Sequence, residues 1–598
     1  MNLLLVVMSG VVWVIIPRFG LWFTLLALLP SGLKLLAGIP PFQRTPFDWA
    51  VAVFLITAWI GYWAAYDKSN AWIKFWLIVT TILLYFVLSS QPRKNFEILS
   101  AISFCLGLGI SAYFFLTYDY SVNSGKIALW WLGNRPQVDW PSIHHGYISG
   151  LLVITGIFAT YWLWEVGKHS FGNFTVVVKI TILLGVTVVI LAFIQTMSRG
   201  IWAALACGVG VWLVWKITAS NKFAKVKGGR SLFPVFTLIY IGAIIVYVYL
   251  GPAQSGGDSS QNVYGDNTRA ELHERSSYFL VDYPFTGGGL NSFPGLYSQY
   301  MISIPFFYYV NSYNLFLDIG IEQGLIGGLS FVFIYFGSVW IVSQKIVRSR
   351  SQQTRFIGWL SLSALIVTIV HGLFYDYLYN GGGTILLLFP VGTSMISGLS
   401  KNKLDDEANQ LSEYSFVPKT VNIRMLFYVL IFGIISIIAF NISKIRSIWY
   451  ANLGAVQMSQ VELRDFPTNS WTGIEVVPAL ETAEDSLHTS LQFDPLNRTA
   501  NQRLGIISML RRDFYSAVGY LETAHAQAPK HRGIIKSLGY SYIWLGDTEK
   551  AQVYLVQIPE AEEELSIYVW WWGTQGRSDL SENASLVLSV LSTVHPQH

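Results

Sequence analysis

Long apolar runs recur through the first 443 residues of this 598-residue chain, and they constrain its fold more than any other feature. A helix needs about 20 mainly apolar residues to cross the roughly 30 Å hydrocarbon layer of a membrane. Hydrophobic residues make up 53% of the chain and charged residues only 12%. A soluble domain carries about 25% charged residues. The sequence therefore predicts an all-α polytopic membrane protein rather than a large soluble core.

Hydropathy predicts thirteen membrane spans, or twelve if the first two form one element broken at Pro17. The N-terminus lacks a basic region and a small-residue cleavage site, so the first run is interpreted as a span and not a removed signal. The predicted spans are 3–16, 19–37, 48–65, 72–90, 96–117, 146–164, 176–195, 200–215, 232–250, 315–343, 356–375, 383–399 and 424–443. These spans and their loops make up a predicted transmembrane domain, residues 1–443.

The basic residues of the loops predict the orientation of the chain. Loops on one side hold only seven of them, whereas the opposite loops, from Arg44 to Arg424, hold seventeen. Basic loops stay in the cytoplasm, so the N-terminus is predicted to be cytoplasmic. The loop 251–314 and the tail 444–598 are then predicted to be extracytoplasmic. The seven are Arg18, Lys68, Lys126, Arg135, Arg199, Arg269 and Arg275.

The tail contains an internal repeat of 34 residues. Leu504-Gly505, Ala517 and Leu521 recur as Leu538-Gly539, Ala551 and Leu555. Small residues at fixed offsets let paired helices pack closely, and this period is typical of tetratricopeptide repeats. We predict an α-helical repeat domain over 444–598, with Tyr542 and Trp544 available on its concave face, and we expect the repeats to hold either an acceptor or a protein partner.

Two arginines lie where the predicted spans meet the extracytoplasmic side. Arg199, in Gln195-Thr-Met-Ser-Arg199-Gly-Ile-Trp202, lies at a helix start between two spans. Arg269 opens a helix in the loop 251–314, within the capping-box pattern Thr268-Arg-Ala-Glu271. A guanidinium beside a helix N-terminus suits a phosphate, although an interfacial arginine can also simply extend to the headgroups.

Polar residues recur where the chain re-enters the membrane. Asn314, Asp318 and Glu322 are four residues apart, which places them on one helix face and predicts the lining of a cavity. His371, near Asp376, lies at the extracytoplasmic end of another span. Metal-ligand spacing and nucleotide-binding loops are absent from the sequence. Arginines and proton acceptors without a metal or nucleotide signature suit transfer from a donor already activated in the bilayer.

These residues resemble the O-antigen ligase and polymerase superfamily. The resemblance covers roughly residues 40–400 and rests on several short motifs in order. They are Thr45-Pro-Phe-Asp48-Trp, Ser198-Arg199-Gly-Ile-Trp202, the helix opening at Arg269, Pro284-Phe-Thr-Gly-Gly-Gly289, and Asn314 with Glu322-Gln-Gly324-Leu-Ile-Gly327. It implies a multi-span, metal-independent GT-C-type glycosyltransferase of a bacterial cytoplasmic membrane, without a cofactor. Its donor would be undecaprenyl-diphosphate-linked glycan, and its acceptor a glycan or a lipid.

The resemblance assigns the diphosphate to Arg199 and Arg269. Its candidate base is a histidine in a pattern like His-Ala-His-Asn, which reads Asn311-Ser-Tyr313-Asn314 in this chain. Tyrosine, with a pKa of about 10, is a poor base at neutral pH. Either Arg199 or Arg269 lowers the pKa of Tyr313, or another residue (His371, His273 or Asp318) serves, or transfer needs little base.

The sequence thus predicts a polysaccharide ligase or polymerase in which Arg199 and Arg269 bind the diphosphate. Tyr313 and Asn314 would orient the acceptor, and His371 would be the reserve base. Two other classes stay open. A permease for a small anion would also use many spans and external arginines, and a membrane-anchored scaffold would use the repeat tail. No nucleic-acid partner is expected.

Overall fold

The computed structural model describes residues 2–117, 145–168, 175–196, 198–218, 242, 269–301, 309–349, 351–398, 441–467 and 476–594. Its regular elements in these ranges are all helical, which confirms the predicted all-α class. Seven of the described helices are long and apolar enough to cross a membrane, and shorter apolar helices accompany them. The chain is therefore a multi-pass membrane protein.

The apolar helices follow the predicted spans closely. Most of the predicted spans 232–250 and 424–443 lies outside the described residues, as do the extramembrane segments 118–144 and 251–268. The helices are α1 (Asn2–Ile15), α2 (Pro17–Leu36), α3 (Asp48–Ala64), α4 (Lys68–Ser89), α5 (Phe96–Thr117), α6 (His145–Lys168), α7 (Thr175–Gln195) and α8 (Arg199–Thr218). Beyond the loop come α11 (Leu315–Arg348), α12 (Gln352–Gly372) and α13 (Phe389–Gly398).

The first two helices are separate elements that pack against each other, so Pro17 divides them. Pro17 opens α2, where its missing N–H costs nothing. The Ser9 hydroxyl hydrogen-bonds the Thr24 hydroxyl at 2.8 Å, and the indole of Trp13 donates to the same oxygen. These bonds pair the polar groups of Ser9, Trp13 and Thr24 with one another inside the two apolar helices.

Helix α12 lies at the centre of the bundle, packed on α6, α8, α11 and α13. Glycines bring these helices close together, because a Cβ at Gly208 would lie 3.1 Å from Val367 and one at Gly358 would lie 2.6 Å from Ile346. One predicted span differs from the structure. Residues 383–399 do not form a single helix, since a 3₁₀ segment (Gly381–Leu386) precedes α13.

The described part of the loop 251–314 forms two helices, α9 (Arg269–Asp282) and α10 (Phe293–Met301), joined by a glycine-rich turn. We call the end of the bundle against which these helices pack the loop end. The tail also packs there, because Asn452 accepts hydrogen bonds from the backbone N–H groups of Phe285 and Thr286 at 3.0 and 3.2 Å. The tail and the loop therefore lie at the same end of the bundle.

The tail consists of antiparallel helix pairs. Its helices are α14 (Ile442–Glu462), α15 (Glu481–Phe493), α16 (Arg498–Leu510), α17 (Phe514–Gln527), α18 (Arg532–Leu545), α19 (Thr548–Leu555), α20 (Ala561–Thr574) and α21 (Ser578–Val594). The starts of α16 and α18, and those of α17 and α19, are 34 residues apart. A Cβ at Gly505 would lie 2.6 Å from Leu521, and one at Gly539 equally close to Leu555. The helix pairs thus follow the predicted period, while their assignment to the tetratricopeptide family stays a prediction.

One detail of the tail prediction is wrong. Tyr542 and Trp544 do not line an open concave face, since both are buried in the hydrophobic core of the tail. Trp544 packs edge-to-face on Trp572, and Tyr542 stacks on Tyr554. Trp544 therefore joins its helix pair to the next one, and Tyr542 joins the two helices of its own pair.

Candidate functional site

The glycine-rich turn between α9 and α10 packs on a kink in α11. At Gly324 the helix is interrupted by a residue with φ 76° and ψ 175°, a conformation that only glycine adopts at low cost. The Gly288 N–H donates to the Ile321 carbonyl at 2.7 Å, and the Leu325 N–H donates to the Pro284 carbonyl at 2.8 Å. The glycines of this turn permit a close backbone approach. The structure identifies the partner as the backbone of residues 321–325.

Arg269 opens α9, as predicted, and lies against the segment that follows α12. Its Nη1 donates to the Phe374 carbonyl at 2.9 Å. Its guanidinium lies 4.6 Å from the Tyr375 ring centre and 5.5 Å from that of Tyr313. Cation–π contacts fix a guanidinium plane while leaving its other N–H groups directed elsewhere. The half-buried Arg269 is thus oriented by three groups and does not form an ion pair in the described structure.

Arg199 opens α8, also as predicted, but its side chain lies outside the described part of the chain. The adjacent Gly200 locates this helix start, because a Cβ there would lie 3.2 Å from atoms of both Phe374 and Tyr375. These are the two residues that Arg269 contacts. The structure therefore brings the N-terminus of α8 and the guanidinium of Arg269 to the same short segment, although they are 70 positions apart in the sequence.

Tyr313 occupies a strained backbone conformation, with φ 55°. An aromatic residue in this left-handed region costs of order 1–3 kcal/mol, and such strain clusters at functional sites. The conformation places the ring edge-to-face on Tyr375, with centres 6.4 Å apart. Burial raises the pKa of Tyr313, the nearby Asp376 raises it further, and Arg269 only partly offsets them. Arg269 alone therefore does not bring the pKa of Tyr313 below its ordinary value, and the contribution of Arg199, whose side chain lies outside the described residues, stays a prediction.

Asn314 is the N-cap of α11. Its side-chain oxygen accepts from the N–H groups of Phe316 and Leu317, each at 3.1 Å, which satisfies two donors that the helix start leaves free. Asn311 has a different role. Its amide nitrogen donates to the Tyr147 hydroxyl at 2.6 Å, and its oxygen accepts from the Tyr313 N–H at 3.1 Å. The two asparagines thus fix the turn that carries Tyr313.

His371 lies at the end of α12 and contacts Tyr375, which Arg269 also contacts. Its ring is fully buried between Tyr375, at 5.0 Å, and Tyr377, at 4.7 Å. Neither ring nitrogen has a hydrogen-bond partner within the described ranges. Buried polar groups are normally paired, so an unpaired imidazole beside the candidate site is a candidate proton acceptor. Asp376 lies nearby and accepts from the Tyr147 hydroxyl at 2.9 Å.

The predicted polar stripe on α11 is satisfied by groups within the protein. Asp318 accepts from the Ser312 N–H at 3.0 Å, and Glu322 forms a buried ion pair with Lys74 of α4 at 2.7 Å. With Asn314 as the N-cap, each predicted residue has an internal partner. These contacts account for the stripe without a cavity, whose presence stays a prediction.

Sequence reasoning missed Lys74 and Tyr147. Lys74 also donates to the Asn380 side chain at 2.9 Å and lies 3.9 Å from the ring centre of Tyr379. The signal was available, because a lysine inside an apolar span is costly and normally has a buried partner. Tyr147 gave no such signal, since tyrosine is common near membrane boundaries.

His273, one of the alternative bases, lies on α9 one turn after Arg269. Burial and then the charge of Arg269 lower the pKa of His273 to about 4. It is therefore neutral at physiological pH and contacts the backbone at Ser312. A search of the described residues for three or more His, Cys, Asp or Glu side chains that could hold a metal ion finds none.

Together, these features define a class: a multi-pass membrane protein with an arginine site at the end of its bundle, beside a helical tail. Residues 182–332 match the family model described as O-Antigen ligase. The match runs from α7 into α11 and includes Arg199, Arg269 and the glycine-rich turn. It supports the O-antigen ligase superfamily and a membrane function of ligase or polymerase type. No curated protein matches the chain.

Proposed function

We propose that this protein transfers glycan from an undecaprenyl-diphosphate donor to a glycan or lipid acceptor, outside the cytoplasmic membrane. One observation carries the proposal. Arg269 and the start of α8, which bears Arg199, meet the same two residues, Phe374 and Tyr375. Two guanidinium groups beside a helix N-terminus can neutralise a diphosphate without a metal ion. The family match over the same helices supports a lipid-linked glycan as the substrate.

The proposed reaction is an inverting displacement. The acceptor hydroxyl oxygen bonds to the anomeric carbon while the bond from that carbon to the diphosphate oxygen breaks. The leaving undecaprenyl diphosphate gains negative charge, which Arg199 and Arg269 stabilise. Arg269 is already oriented by the Phe374 carbonyl and by two rings, so little reorganisation is needed as the charge develops.

The proton of the acceptor hydroxyl needs a base. The neutral phenol of Tyr313 is a hydrogen-bond donor and orients the acceptor together with the amide nitrogen of Asn314. We assign the base to His371, whose ring nitrogens lack partners in the described structure. Asp376 is the second candidate, because its buried carboxyl lies beside the carboxyl of Asp318 near the same site. Transfer by the His371→Asn and Asp376→Asn variants separates them, since loss of the base costs about 10²–10⁴-fold.

The test in cells replaces each arginine separately. Arg199→Ala and Arg269→Ala should each abolish polymer transfer and cause lipid-linked glycan to accumulate. Arg275→Ala is the matched control, because Arg275 lies on the same helix as Arg269 but contacts Met301 instead of Phe374. Normal polysaccharide in both arginine variants, without lipid-linked intermediate, would refute the proposal.

The glycan that accumulates in a strain lacking this protein distinguishes a ligase from a polymerase. Free lipid-linked polymer with nothing attached to the final acceptor identifies a ligase. Single repeat units still attached, with long chains missing, identify a polymerase. In both cases transfer should continue after chelation of divalent metals, because the arginines carry out the charge neutralisation.

A further inference from the structure

The tail holds the last residue of α9 through buried charges. Asp282 pairs with Arg498 at 2.9 Å and with Arg503 at 4.0 Å, and it accepts from the Thr499 hydroxyl at 2.6 Å. Burial alone would raise the pKa of Asp282, but the two arginines outweigh it and hold the pKa below its usual range. Arg503 also donates to the hydroxyl of Tyr283 at 3.1 Å. Helix α16 of the tail thus binds the end of α9.

A second buried cluster, one repeat further along the tail, holds the end of α10. Lys536 of α18 donates to the carbonyl of Met301, the last residue of α10, at 3.1 Å. Glu560 and Glu564 balance the charge of Lys536. Helices α16 and α18, the first helices of two successive repeats, therefore bind Asp282 of α9 and Met301 of α10.

Helix α9 connects the first of these clusters to the candidate site. Its 14 residues span about 21 Å, from Arg269 at one end to Asp282 at the other. Leu272 and Phe279 pack into a core shared with Ala455 of the tail and Ile321 of α11. The helix therefore lies between the tail and the membrane bundle, and its position depends on both.

We propose that the tail is an intramolecular clamp that holds α9, and that Arg498, Thr499 and Arg503 are positioning residues for Arg269. Helices α16 and α18 contact residues 278–301 of the same chain through Tyr278, Asp282 and Met301. This assignment of Arg269 rests on the proposed function. A protein partner of the tail, if one binds, must then use surfaces other than those that contact this segment.

The energetics favour a clamp over an incidental contact. An unpaired charge in a protein interior costs several kcal/mol, so Arg498 and Asp282 each depend on the other. If α9 moves away, Arg498 and Arg503 of the tail lose their anionic partner. The Asp282 carboxylate then loses its cations at the C-terminus of α9, where a negative charge is unfavourable. Separation of the two surfaces is therefore strongly opposed.

The first test measures hydrogen–deuterium exchange of residues 269–282 in the full-length protein in lipid nanodiscs. Arg498→Gln should speed exchange across α9 by about tenfold, equivalent to about 1.4 kcal/mol of local stability. Thr499→Val, which removes one hydrogen bond, should produce a smaller increase, and Arg498→Lys should restore protection. Arg511→Gln is the control, because its partner Glu484 also lies on the tail, away from α9. Unchanged exchange in Arg498→Gln would overturn the clamp.

The second test measures transfer kinetics with a lipid-linked donor in the same nanodiscs. A displaced Arg269 binds the donor diphosphate less well and also stabilises the leaving diphosphate less, so kcat/KM for the donor should fall about tenfold, through a higher donor KM together with a lower kcat. If Arg269→Ala impairs transfer but Arg498→Gln leaves kcat/KM for the donor unchanged, the positioning role alone is overturned. If Arg269→Ala has wild-type kinetics, the proposed function fails as well. The exchange experiment does not depend on activity, so it distinguishes these failures.

Discussion

The buried pair of Lys74 and Glu322 gives the sharpest test of how the bundle supports the candidate site. Their charged atoms lie 2.7 Å apart, and both side chains are almost inaccessible to solvent. Glu322 belongs to the stretch of α11 that receives the glycine-rich turn, since a Cβ at Gly287 would lie 2.3 Å from its backbone. Loss of Lys74 should therefore destabilise the bundle and disturb this turn.

The two single substitutions should differ in cost. Lys74→Met leaves the Glu322 carboxylate buried without a cation, and breaking a buried pair in this way costs about 3–5 kcal/mol. Glu322→Gln should cost less, because Lys74 keeps its bond to Asn380 and its place over the Tyr379 ring. The double variant Lys74→Met/Glu322→Gln contains no buried unpaired charge, so its stability should lie within about 1–2 kcal/mol of the wild type.

The assay is thermal unfolding of the four proteins in the same lipid nanodiscs. A chain of several structural units does not unfold in one step, so the order of the apparent midpoints is compared rather than absolute free energies. We expect the Lys74→Met midpoint to be lowest, Glu322→Gln intermediate, and the double variant above both single variants. A double variant whose loss equals the sum of the two single losses would refute the ion-pair reasoning.

Three further predictions concern the loop end of the bundle. Gly324→Ala requires alanine to adopt a φ of 76° and places its Cβ 2.8 Å from the Phe285 carbonyl oxygen. The substitution should therefore lower the unfolding midpoint and reduce transfer. Gly32→Ala, in open space on α2, should be neutral or stabilising in the same assays. Burial raises the pKa of Glu462 to about 7, although Arg503 opposes it. Stability should therefore fall as pH rises from about 4.5 to 7, by about 3 kcal/mol, and Glu462→Gln should remove this loss. The pKa of His273 is lowered to about 4, so its contribution to stability is complete above about 6.5 and is lost as pH falls toward 4. The melting profile of His273→Gln should lack that acid-side loss, and an unchanged profile would contradict the assignment.

The sequence predicted the features that local pattern controls. A membrane imposes long apolar helices, so hydropathy located α3, α4 and α12 within a few residues. The 34-residue period predicted close packing at Gly505 and Gly539, because a small residue that recurs at a repeat position lets the two helices of each repeat approach closely. The helix starts at Arg199 and Arg269 were also predicted, since their flanking residues are typical of helix N-termini.

The sequence did not predict contacts between distant parts of the chain. Lys74 and Glu322 are 248 positions apart, and Asp282 and Arg498 are 216 apart, so no periodic pattern links them. The polar stripe on α11 was assigned to a cavity because the partner of Glu322, Lys74, lies on a distant helix. Trp544 was assigned to the concave face for a similar reason, since the helix that covers it, α20, lies outside the repeat from which the prediction was made.

The most direct test of the central claim is transfer from a lipid diphosphate donor by purified protein in proteoliposomes, with excess chelator present. The wild type should form product, and Arg275→Ala should retain activity. Arg269→Ala should lose about 10²–10³-fold in rate, as expected when a charge-stabilising donor is removed, and Arg269→Lys should recover only part of it, because lysine lacks the planar fork. Equal rates for Arg269→Ala and the wild type would contradict the claim that this arginine stabilises the leaving diphosphate.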